Sequence, residues 1–284
     1  MLLHRLPTEH SFALLDQLSV DDLPAEIHAD PVIPRGLENA SHLMPLMIDL
    51  RALAEVQHSA LVDWLEASLQ RCGESPIACW LKTQASPTRI RSHLAARLVV
   101  RSGNGERCLL RYYDPKVFAH LRWILNAAQL GELFGPVSGW TYWLDGGWRL
   151  ASPAPRAAGR APAIDAQQGE QLRRVAAINA LLAELPASPD ADAFERSARR
   201  LSGYIARAQR YGWRDERDWL SFGRLCLACH PDFDAHPEIR RLIERLADDE
   251  IGFADAAALL EAASLKEIAD ELNAASTNHM STGR

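Results

Sequence analysis

The hydrophobic pattern of this chain changes once, at an Ala/Pro-rich stretch over residues 151–168, and this change constrains the fold more than any other feature. Before it, short strand-like runs of alternating or clustered apolar residues are interleaved with runs at helical spacing. After it, the apolar residues recur only at the 3.6-residue spacing of amphipathic helices. We therefore predict an α+β fold class, with a mixed α/β N-terminal domain of a small sheet and flanking helices over residues 1–150, followed by an all-α C-terminal helical bundle over residues 169–275. Residues 151–168 are predicted to be a linker and residues 276–284 a disordered tail.

Cap and turn residues divide the first part of the chain into elements. Ser86-Pro87 and Asp114-Pro115 each place a side-chain cap before a proline at the first helical position, and Gly73 suits the end of a helix. Pro45 argues against a central strand at residues 43–50. The predicted strands are at residues 11–16, 77–82, 98–100, 108–113, 137–144 and 148–150, with a Gly103-Asn104-Gly105 turn between the third and the fourth. The predicted helices are at residues 56–72, 87–96, 115–125 and 127–134.

Charge and cysteine content narrow the class of protein. The 284 residues carry a formal net charge of -6, and this acidic balance argues against a general binder of nucleic acid or anionic membranes. The 5 cysteines, an odd number, favour reduced thiols over a disulfide framework. The first residues lack the apolar core of a signal peptide, and no run has the length of a membrane span. We expect a cytoplasmic protein with no nucleic-acid partner and no membrane partner.

Residue patterns for catalysis are missing from the sequence. There is no Gly-x-Ser-x-Gly elbow, no cysteine has a protease-like context, and no Gly-Lys-Ser/Thr follows the predicted glycine turn to bind a phosphate. We therefore predict no catalytic residue, no cofactor and no enzymatic activity. The alternative is a hydrolase whose active site is not recognisable from the sequence, which would need a deep polar pocket with converging titratable groups.

A cysteine pair in the second part of the chain raises the question of a metal. Cys226, Cys229 and His230 have the spacing of a c-type haem attachment site, and His236 adds a fourth possible metal ligand. Both cysteines also lie on the apolar face of a predicted helix, where free cysteine behaves as a small buried hydrophobe. We predict a core position and no metal, with a small metal-binding module at these four residues as the alternative.

An aromatic hairpin offers a candidate partner-binding surface. Alternation along residues 137–144 places Trp140 and Tyr142 on one face of the sheet and Trp143 on the other, and Trp148 lies on the returning strand. Core packing accounts for one of these faces. The other is a candidate interface, because Trp and Tyr are enriched at interface hot spots.

Arg111 is the charged residue among the candidates for partner binding. It is flanked by apolar strand residues, and Asp114 lies three positions further on. Long charged side chains in sheets are usually paired, so an ion pair beside a helix cap is the simpler interpretation, and recognition of a partner is the other. The complete candidate set for partner binding is Trp140, Tyr142, Trp143, Trp148 and Arg111.

Three phrases follow one another in the first domain, after an opening Phe-Ala-Leu-Leu-Asp strand. They are Ser92-His93-Leu94, Leu110-Arg111-Tyr112-Tyr113-Asp114-Pro115 and Leu133-Phe134-Gly135-Pro136-Val137. Over residues 11–145 this order resembles the family of type VI secretion effector adaptors, also called effector chaperones. The residues that carry the structural motif of this resemblance are Tyr112, Tyr113, Asp114, Pro115, Phe134, Gly135 and Pro136.

The chain departs from the family pattern at three places: Leu110 stands for Phe, Lys116 stands for Arg, and Ala95-Ala96-Arg97 follows the His-Leu pair. The resemblance implies a cytoplasmic bacterial protein without enzymatic activity. It implies two kinds of partner, a toxic effector and the VgrG spike protein or an associated tip protein, onto which the adaptor helps to load the effector. The first domain would carry the family core, and the C-terminal helices much of the partner specificity.

Overall fold

The chain forms two compact units. Unit 1 comprises Met1–Leu172 with Ala187–Ala191, and unit 2 comprises Arg173–Pro186 with Asp192–Arg284. The computed structural model describes residues 3–20, 22–101, 105, 107–153, 163–188, 190–248 and 252–281, with the backbone alone at residues 247, 248 and 276–281.

The predicted fold class is confirmed. Unit 1 holds a six-stranded antiparallel sheet with helices, and the described residues of unit 2 form helices without a strand. Gly103 and Asn104 of the predicted turn, and residues 154–162 of the predicted linker, lie outside the described residues.

The described residues of the first part of the chain form eight strands and six helices. The strands are β1 (Phe12–Leu15), β2 (Asp30–Pro31), β3 (Leu46–Asp49), β4 (Ile77–Thr83), β5 (Val99–Arg101), β6 (Arg107–Leu109), β7 (Val137–Leu144) and β8 (Gly147–Ala151). The helices are α1 (Leu6–Glu9), α2 (Glu55–Cys72), α3 (Pro87–Arg97), α4 (Pro115–Ile124), α5 (Ala127–Phe134) and α6 (Ala166–Arg173). Short 3-10 turns occur at Leu3–Arg5, Glu38–Leu43 and Leu50–Ala52.

The main sheet has the strand order β2-β3-β1-β4-β7-β8, and every neighbouring pair is antiparallel. All four residues of β1 are buried, because this strand lies inside the sheet and both of its faces are covered. Strands β5 and β6 form a separate two-stranded hairpin. The sheet therefore has two outer strands, β2 and β8.

The interpretation of Pro45 was wrong. Strand β3 begins at Leu46 and lies between β2 and β1. Pro45 precedes the strand, so its missing N–H removes no bond from the ladder. Its carbonyl still accepts a hydrogen bond from the backbone N–H of Val32 at 2.9 Å.

The predicted strand at residues 108–113 is too long. Strand β6 ends at Leu109, and the chain then turns: the N–H of Tyr112 donates to the carbonyl of Leu110 at 2.8 Å, and that of Asp114 donates to the carbonyl of Arg111 at 3.0 Å. This turn takes the chain directly into α4. Arg111 and the two tyrosines therefore lie in a tight connection and not in a sheet.

Most other predicted elements of unit 1 are confirmed within one or two residues. Helix α2 ends at Gly73, whose φ of +72° is the left-handed conformation that glycine adopts without strain. Helix α3 is capped by the hydroxyl of Ser86, which accepts from the N–H of Arg89 at 3.4 Å. On one face of the sheet, α2 buries its apolar stripe against strand residues. This core includes Ala13, Ile48, Leu61, Leu65 and Trp80.

Part of the predicted linker is packed into unit 1. Gln168 on α6 is buried and exchanges two hydrogen bonds with the side-chain amide of Gln129 on α5, at 2.7 and 2.9 Å. It also donates to the carbonyl of Ile124 at 2.9 Å, while Asp165 accepts from its backbone N–H at 2.7 Å. The two bonds to Gln129 and the bond to Ile124 fix this segment against α5 and against the end of α4.

Where the structure describes it, unit 2 consists of helices and one 3-10 turn at Phe233–Ala235. The helices are α7 (Val175–Leu182), α8 (Ala191–Arg210), α9 (Glu216–Ala228), α10 (Pro237–Asp248), α11 (Phe253–Ala257) and α12 (Ala262–Ser281). The helical backbone of α12 thus extends over part of the stretch 276–284 that was expected to be a tail. An aromatic core holds these helices together, in which Trp213 stacks on Phe253 at 4.4 Å and Phe222 meets Phe233 at 4.9 Å between ring centroids.

Candidate partner-binding surface

The second and third phrases of the sequence motif contribute to one buried aromatic cluster on the sheet face opposite α2, and the first phrase is hydrogen-bonded at its edge. Phe118 of α4 stacks on Trp140 of β7, with ring centroids 4.7 Å apart and planes 9° from parallel. Tyr112 and Phe134 meet the same indole edge-on at 5.8 and 5.9 Å, and Tyr142 meets Phe118 at 5.2 Å. We call these five residues, Tyr112, Phe118, Phe134, Trp140 and Tyr142, the motif core. All five are buried.

A glycine and a histidine fit together at the edge of the motif core. His93 Nε2 donates to the carbonyl of Leu133 at 2.9 Å, which places the imidazole ring against Gly135. A Cβ atom at Gly135 would lie 2.1 Å from Cε1 of that ring, and the residue has a φ of +53°. Tyr112 donates its hydroxyl to the carbonyl of Leu94 at 2.9 Å, so the first motif phrase is tied to both of the others.

The Asp-Pro and Gly-Pro parts of the motif fix chain direction. Asp114 Oδ1 accepts from the N–H of Lys116 at 2.9 Å, and Pro115 is the first residue of α4. This confirms the predicted helix cap. The carbonyl of Pro136 accepts from the hydroxyl of Thr83 at 2.7 Å and so ties the start of β7 to β4.

Arg111 forms the ion pair that its sequence context indicated, but its main partner is remote in sequence. Its guanidinium lies 2.5 Å from Oδ2 of Asp16 and 3.8 Å from Oδ2 of Asp114, and it packs over the Tyr113 ring at 5.8 Å from the centroid. Burial alone would lower the pKa of Arg111, but Asp16, Tyr113 and Asp114 together outweigh it and the pKa is raised. Arg111 keeps part of its surface exposed and joins the connection after β6 to the end of β1.

The aromatic hairpin is divided between core and surface. Trp140 and Tyr142, which were candidates for partner binding, belong to the motif core, because helices cover that face of the sheet. Trp143 and Trp148 are half-buried on the other face and meet edge-on at 5.2 Å. Trp143 Nε1 donates to the carbonyl of Gly73 at 2.9 Å. The burial of the first pair leaves Trp143, Trp148 and Arg111 as the candidates with exposed atoms.

Leu150 extends this exposed part of the hairpin. It lies on the same sheet face as Trp148, two residues along β8, and it is 60% exposed. Across the ladder it faces Thr141, and its Cδ1 lies 3.7 Å from where a Cβ of Gly139 would be. We call Trp143, Trp148 and Leu150 the hairpin surface.

In unit 2, Arg207 connects α8 to the segment after α9. Its guanidinium binds the carboxylates of Asp232 at 2.7 Å and Asp234 at 3.2 Å, donates to the carbonyl of Pro231, and lies 3.2 Å from Sγ of Cys226. Burial raises the pKa of the Cys226 thiol to about 12, despite the nearby cation. This thiol is therefore protonated at neutral pH and serves packing.

The four residues of the metal-binding alternative have separate contacts. Cys229 donates from Sγ to the carbonyl of Leu265 at 3.2 Å, and His236 pairs with Glu271 at 3.0 Å. The ring of His230 accepts from the N–H of Asp232 at 3.1 Å. Throughout the part of the chain that the structure describes, no three His, Cys, Asp or Glu side chains are grouped as a metal site would require.

A groove runs between α10 and the segment that includes the start of α12. Its volume is about 690 Å³, and it is open to solvent. Its apolar lining consists of Ile239, Leu242, Leu260 and Ile268, and its charged rim consists of Glu238, Arg241, Glu244 and Arg245. Apolar walls with a mixed-charge rim resemble a protein-binding groove more than a catalytic cleft.

Buried His10 and half-buried His93 have shifted pKa values for structural reasons. The carbonyl of Leu6 lies 2.9 Å from Nδ1 of His10 and can only accept, so Nδ1 carries the proton and Nε2 accepts from the Thr141 hydroxyl at 2.8 Å. Burial lowers the pKa of His10 and also that of His93. Burial favours the neutral form of both rings, and the carbonyl that accepts from each ring acts in the opposite direction without outweighing it.

Sequence reasoning missed several of these residues. Asp16 ends the first predicted strand, but nothing local pairs it with an arginine 95 positions away. Leu150 was overlooked beside its aromatic neighbours, although the Asp145-Gly146 turn signal fixes which strand residues share its face. The groove between α10 and α12 has no local signature, because it arises from helices that are separate in sequence.

The comparisons with known proteins give one match. The family described as Domain of unknown function (DUF4123) matches residues 11–132, which is less than half of the chain and includes Tyr112 and Phe118 of the motif core. This family is associated with type VI secretion effectors. No curated protein and no solved structure shows significant similarity to the chain. The expected resemblance is thus confirmed at the level of an effector-associated domain.

None of the helices among the described residues is both long enough and apolar enough to cross a membrane.

Proposed function

We propose that this protein is a non-enzymatic adaptor of a bacterial type VI secretion system. It binds a toxic effector in the cytoplasm and promotes loading of that effector onto the VgrG spike or an associated tip protein. The observation that carries this proposal is the match of residues 11–132 to an effector-associated family.

The surroundings of the titratable groups with shifted pKa values favour a binding protein over a hydrolase. His10 and His93 are held by backbone carbonyls, and burial raises the pKa of the Cys226 thiol. Groups with shifted pKa values mark active sites when they converge in a cleft. Here burial is the main cause of each of these three shifts.

An adaptor needs surfaces for two partners. Unit 1 offers the hairpin surface, and unit 2 offers the groove beside α10. A loading factor must also release its cargo, so interfaces of standard size or smaller with partly polar rims are suited to the task. The charged rim of the groove and the small area of the hairpin surface fit this requirement.

Co-purification tests the proposal. The tagged full-length protein is expressed with the effector and the VgrG protein encoded beside it, and both are expected to be retained. Deletion of the adaptor gene should abolish delivery of that effector to neighbouring cells while leaving delivery of other effectors intact. Retention of neither partner, together with normal delivery in the deletion strain, would show that the proposal is wrong.

A further inference from the structure

The turn between β7 and β8 determines which residues of β8 face outward. Asp145 and Gly146 have φ values of +50° and +76°, as in a two-residue type I′ turn. Such a turn closes on a hydrogen-bonded pair, here Leu144 and Gly147. Bonded and non-bonded pairs then alternate along an antiparallel ladder. Gly147 and every second residue after it are bonded to β7, so Trp148 and Leu150 direct their N–H and C=O groups away from the sheet.

The outer edge of β8 is unpaired within the described ranges of the chain. β8 is the last strand in the sheet order, and no described group bonds to the backbone of Trp148 or Leu150. The 60% exposure of Leu150 shows that solvent reaches this edge. Two donors and two acceptors are therefore presented at the spacing of a β-strand.

The opposite edge of the sheet is protected in a way that β8 is not. Strand β2 has two residues, one of them Pro31, and its Asp30 is paired with Arg91 and with His28. Short length, proline and charge are the usual means of preventing edge pairing. β8 has five residues and no proline, its one charged residue, Arg149, donates to the carbonyl of Ser188, and it carries an exposed leucine.

We propose that β8 is a docking edge that binds an extended segment of a partner protein as a seventh strand of the sheet. The backbone of Trp148 and Leu150 would supply the hydrogen bonds, and their side chains would select small or apolar residues at the facing positions. The inference rests on the proposed adaptor function for the identity of the partner, which is the effector.

A second copy of this chain fits the edge less well. In the fully overlapped antiparallel register of two β8 strands, the central residue Arg149 lies directly opposite Arg149 of the copy. Like charges at directly opposed positions destabilise a strand pair. An effector segment carries no such restriction.

Replacement of Leu150 by proline tests the edge. Proline removes the outward N–H and leaves the inward bonds of Arg149 and Ala151 to β7 intact, so it is compatible with an outer strand. Leu150→Ala is the matched control that keeps the N–H and removes most of the side chain. Val56→Lys, at an apolar position on α2 that is 73% exposed, controls for the loss of surface hydrophobicity.

Effector binding by the full-length chain is measured by titration, with the melting temperature of each variant as the folding check. Leu150→Pro is expected to weaken binding at least tenfold, Leu150→Ala less, and Val56→Lys not at all. In the wild type, hydrogen exchange at the amides of Trp148 and Leu150 should slow at least tenfold when the effector is bound. This second measurement decides the matter if the proline variant does not fold.

The outcomes separate this inference from the proposed function. Binding of the effector by the wild type, with unchanged affinity for a folded Leu150→Pro variant and unchanged exchange at both amides, overturns the docking edge alone. Binding of neither the effector nor VgrG by the wild type overturns the adaptor function and this inference together. A wild-type dimer that Leu150→Pro converts to a monomer identifies a second copy as the occupant and also contradicts the proposal.

Discussion

Gly135→Ala should be among the most destabilising single-methyl changes in unit 1. The added Cβ would lie 2.1 Å from Cε1, 2.5 Å from Nε2 and 2.7 Å from Nδ1 of the His93 ring. The ring cannot move away freely, because Nε2 is bonded to the carbonyl of Leu133 at 2.9 Å. The change therefore combines backbone strain, overlap and the loss of a hydrogen bond at one point.

Each contribution has a known size. Gly135 has φ +53° and ψ -112°, a region essentially restricted to glycine, and strain there costs about 1–3 kcal/mol. Overpacking costs about 1–3 kcal/mol. Loss of the hydrogen bond between His93 and Leu133 adds about 1 kcal/mol. The lower conformational entropy of the unfolded chain with alanine in place of glycine offsets about 0.5 kcal/mol. We expect a net loss of about 4 kcal/mol, a large part of the roughly 5–15 kcal/mol that stabilises a typical domain.

Urea unfolding followed by tryptophan fluorescence measures this loss, because most tryptophans lie in unit 1. Gly36→Ala is the matched control: Gly36 also has a positive φ, +83°, but no atom lies within 4 Å of a Cβ built there. It isolates backbone strain and should cost about 1 kcal/mol. The double variant His93→Ala with Gly135→Ala removes the overlap.

The overlap should appear as coupling in a double-mutant cycle. Gly135→Ala is expected to cost at least about 2 kcal/mol less when His93 is already alanine, since residues in direct contact commonly couple by about 0.5–3 kcal/mol. If Gly135→Ala costs no more than Gly36→Ala, or costs the same with and without the His93 ring, the reasoning from this contact is refuted.

Three further predictions concern other contacts. Asp114→Ala removes the cap of α4 and should lower the free energy of unfolding by about 1 kcal/mol, whereas Asp114→Asn keeps an acceptor and should cost less. Equal losses for the two variants in urea unfolding would contradict the cap. Loss of effector binding by a folded Asp114→Ala variant would show that this residue contacts the effector. Because the pKa values of His10 and His93 are lowered in the folded chain, the unfolded chain binds protons below pH 6.5 that the folded chain does not. The free energy of unfolding should therefore decrease as the pH falls, by at most about 1.4 kcal/mol per pH unit for each histidine. A melting temperature unchanged from pH 7.5 to 5.5 would contradict this. Arg207→Met leaves the buried carboxylate of Asp234 without its cation and should lower the free energy of unfolding by about 2 kcal/mol, of which Arg207→Lys recovers part. An unchanged urea midpoint for the methionine variant would show that the contacts of Arg207 do not stabilise unit 2.

Local signals predicted the local structure well. The caps at Ser86 and Asp114 and the helix end at Gly73 all occur as expected. In each case the deciding contact lies within four residues of the signal, so the sequence window contains both partners. The same is true of the alternation that separated Trp140 from Trp143, because the side-chain period of a strand does not depend on its neighbours.

The errors arose where distant parts of the chain decide the outcome. Pro45 lies immediately before a strand that pairs on both sides, and only the sheet order reveals that its N–H is not needed. Arg111 lies in a turn after β6, where it pairs with Asp16 at the end of β1, a residue 95 positions away in the sequence. Which face of the hairpin is covered also depends on where α4 and α5 pack, so periodicity alone could not assign Trp140 and Tyr142 to the core.

The position of the motif residues affects what a resemblance of this kind can predict. Tyr112 and Phe134 are buried in the motif core, where both meet Trp140, and Gly135 lies at its edge against His93. A chain that keeps these residues keeps the scaffold, whatever its surface carries. For an adaptor, partner choice must then be encoded outside the motif, at positions such as Leu150 or the rim of the unit 2 groove. Exchange of β8 between two related adaptors should therefore transfer effector preference if the edge is the docking site, and exchange of motif residues should not.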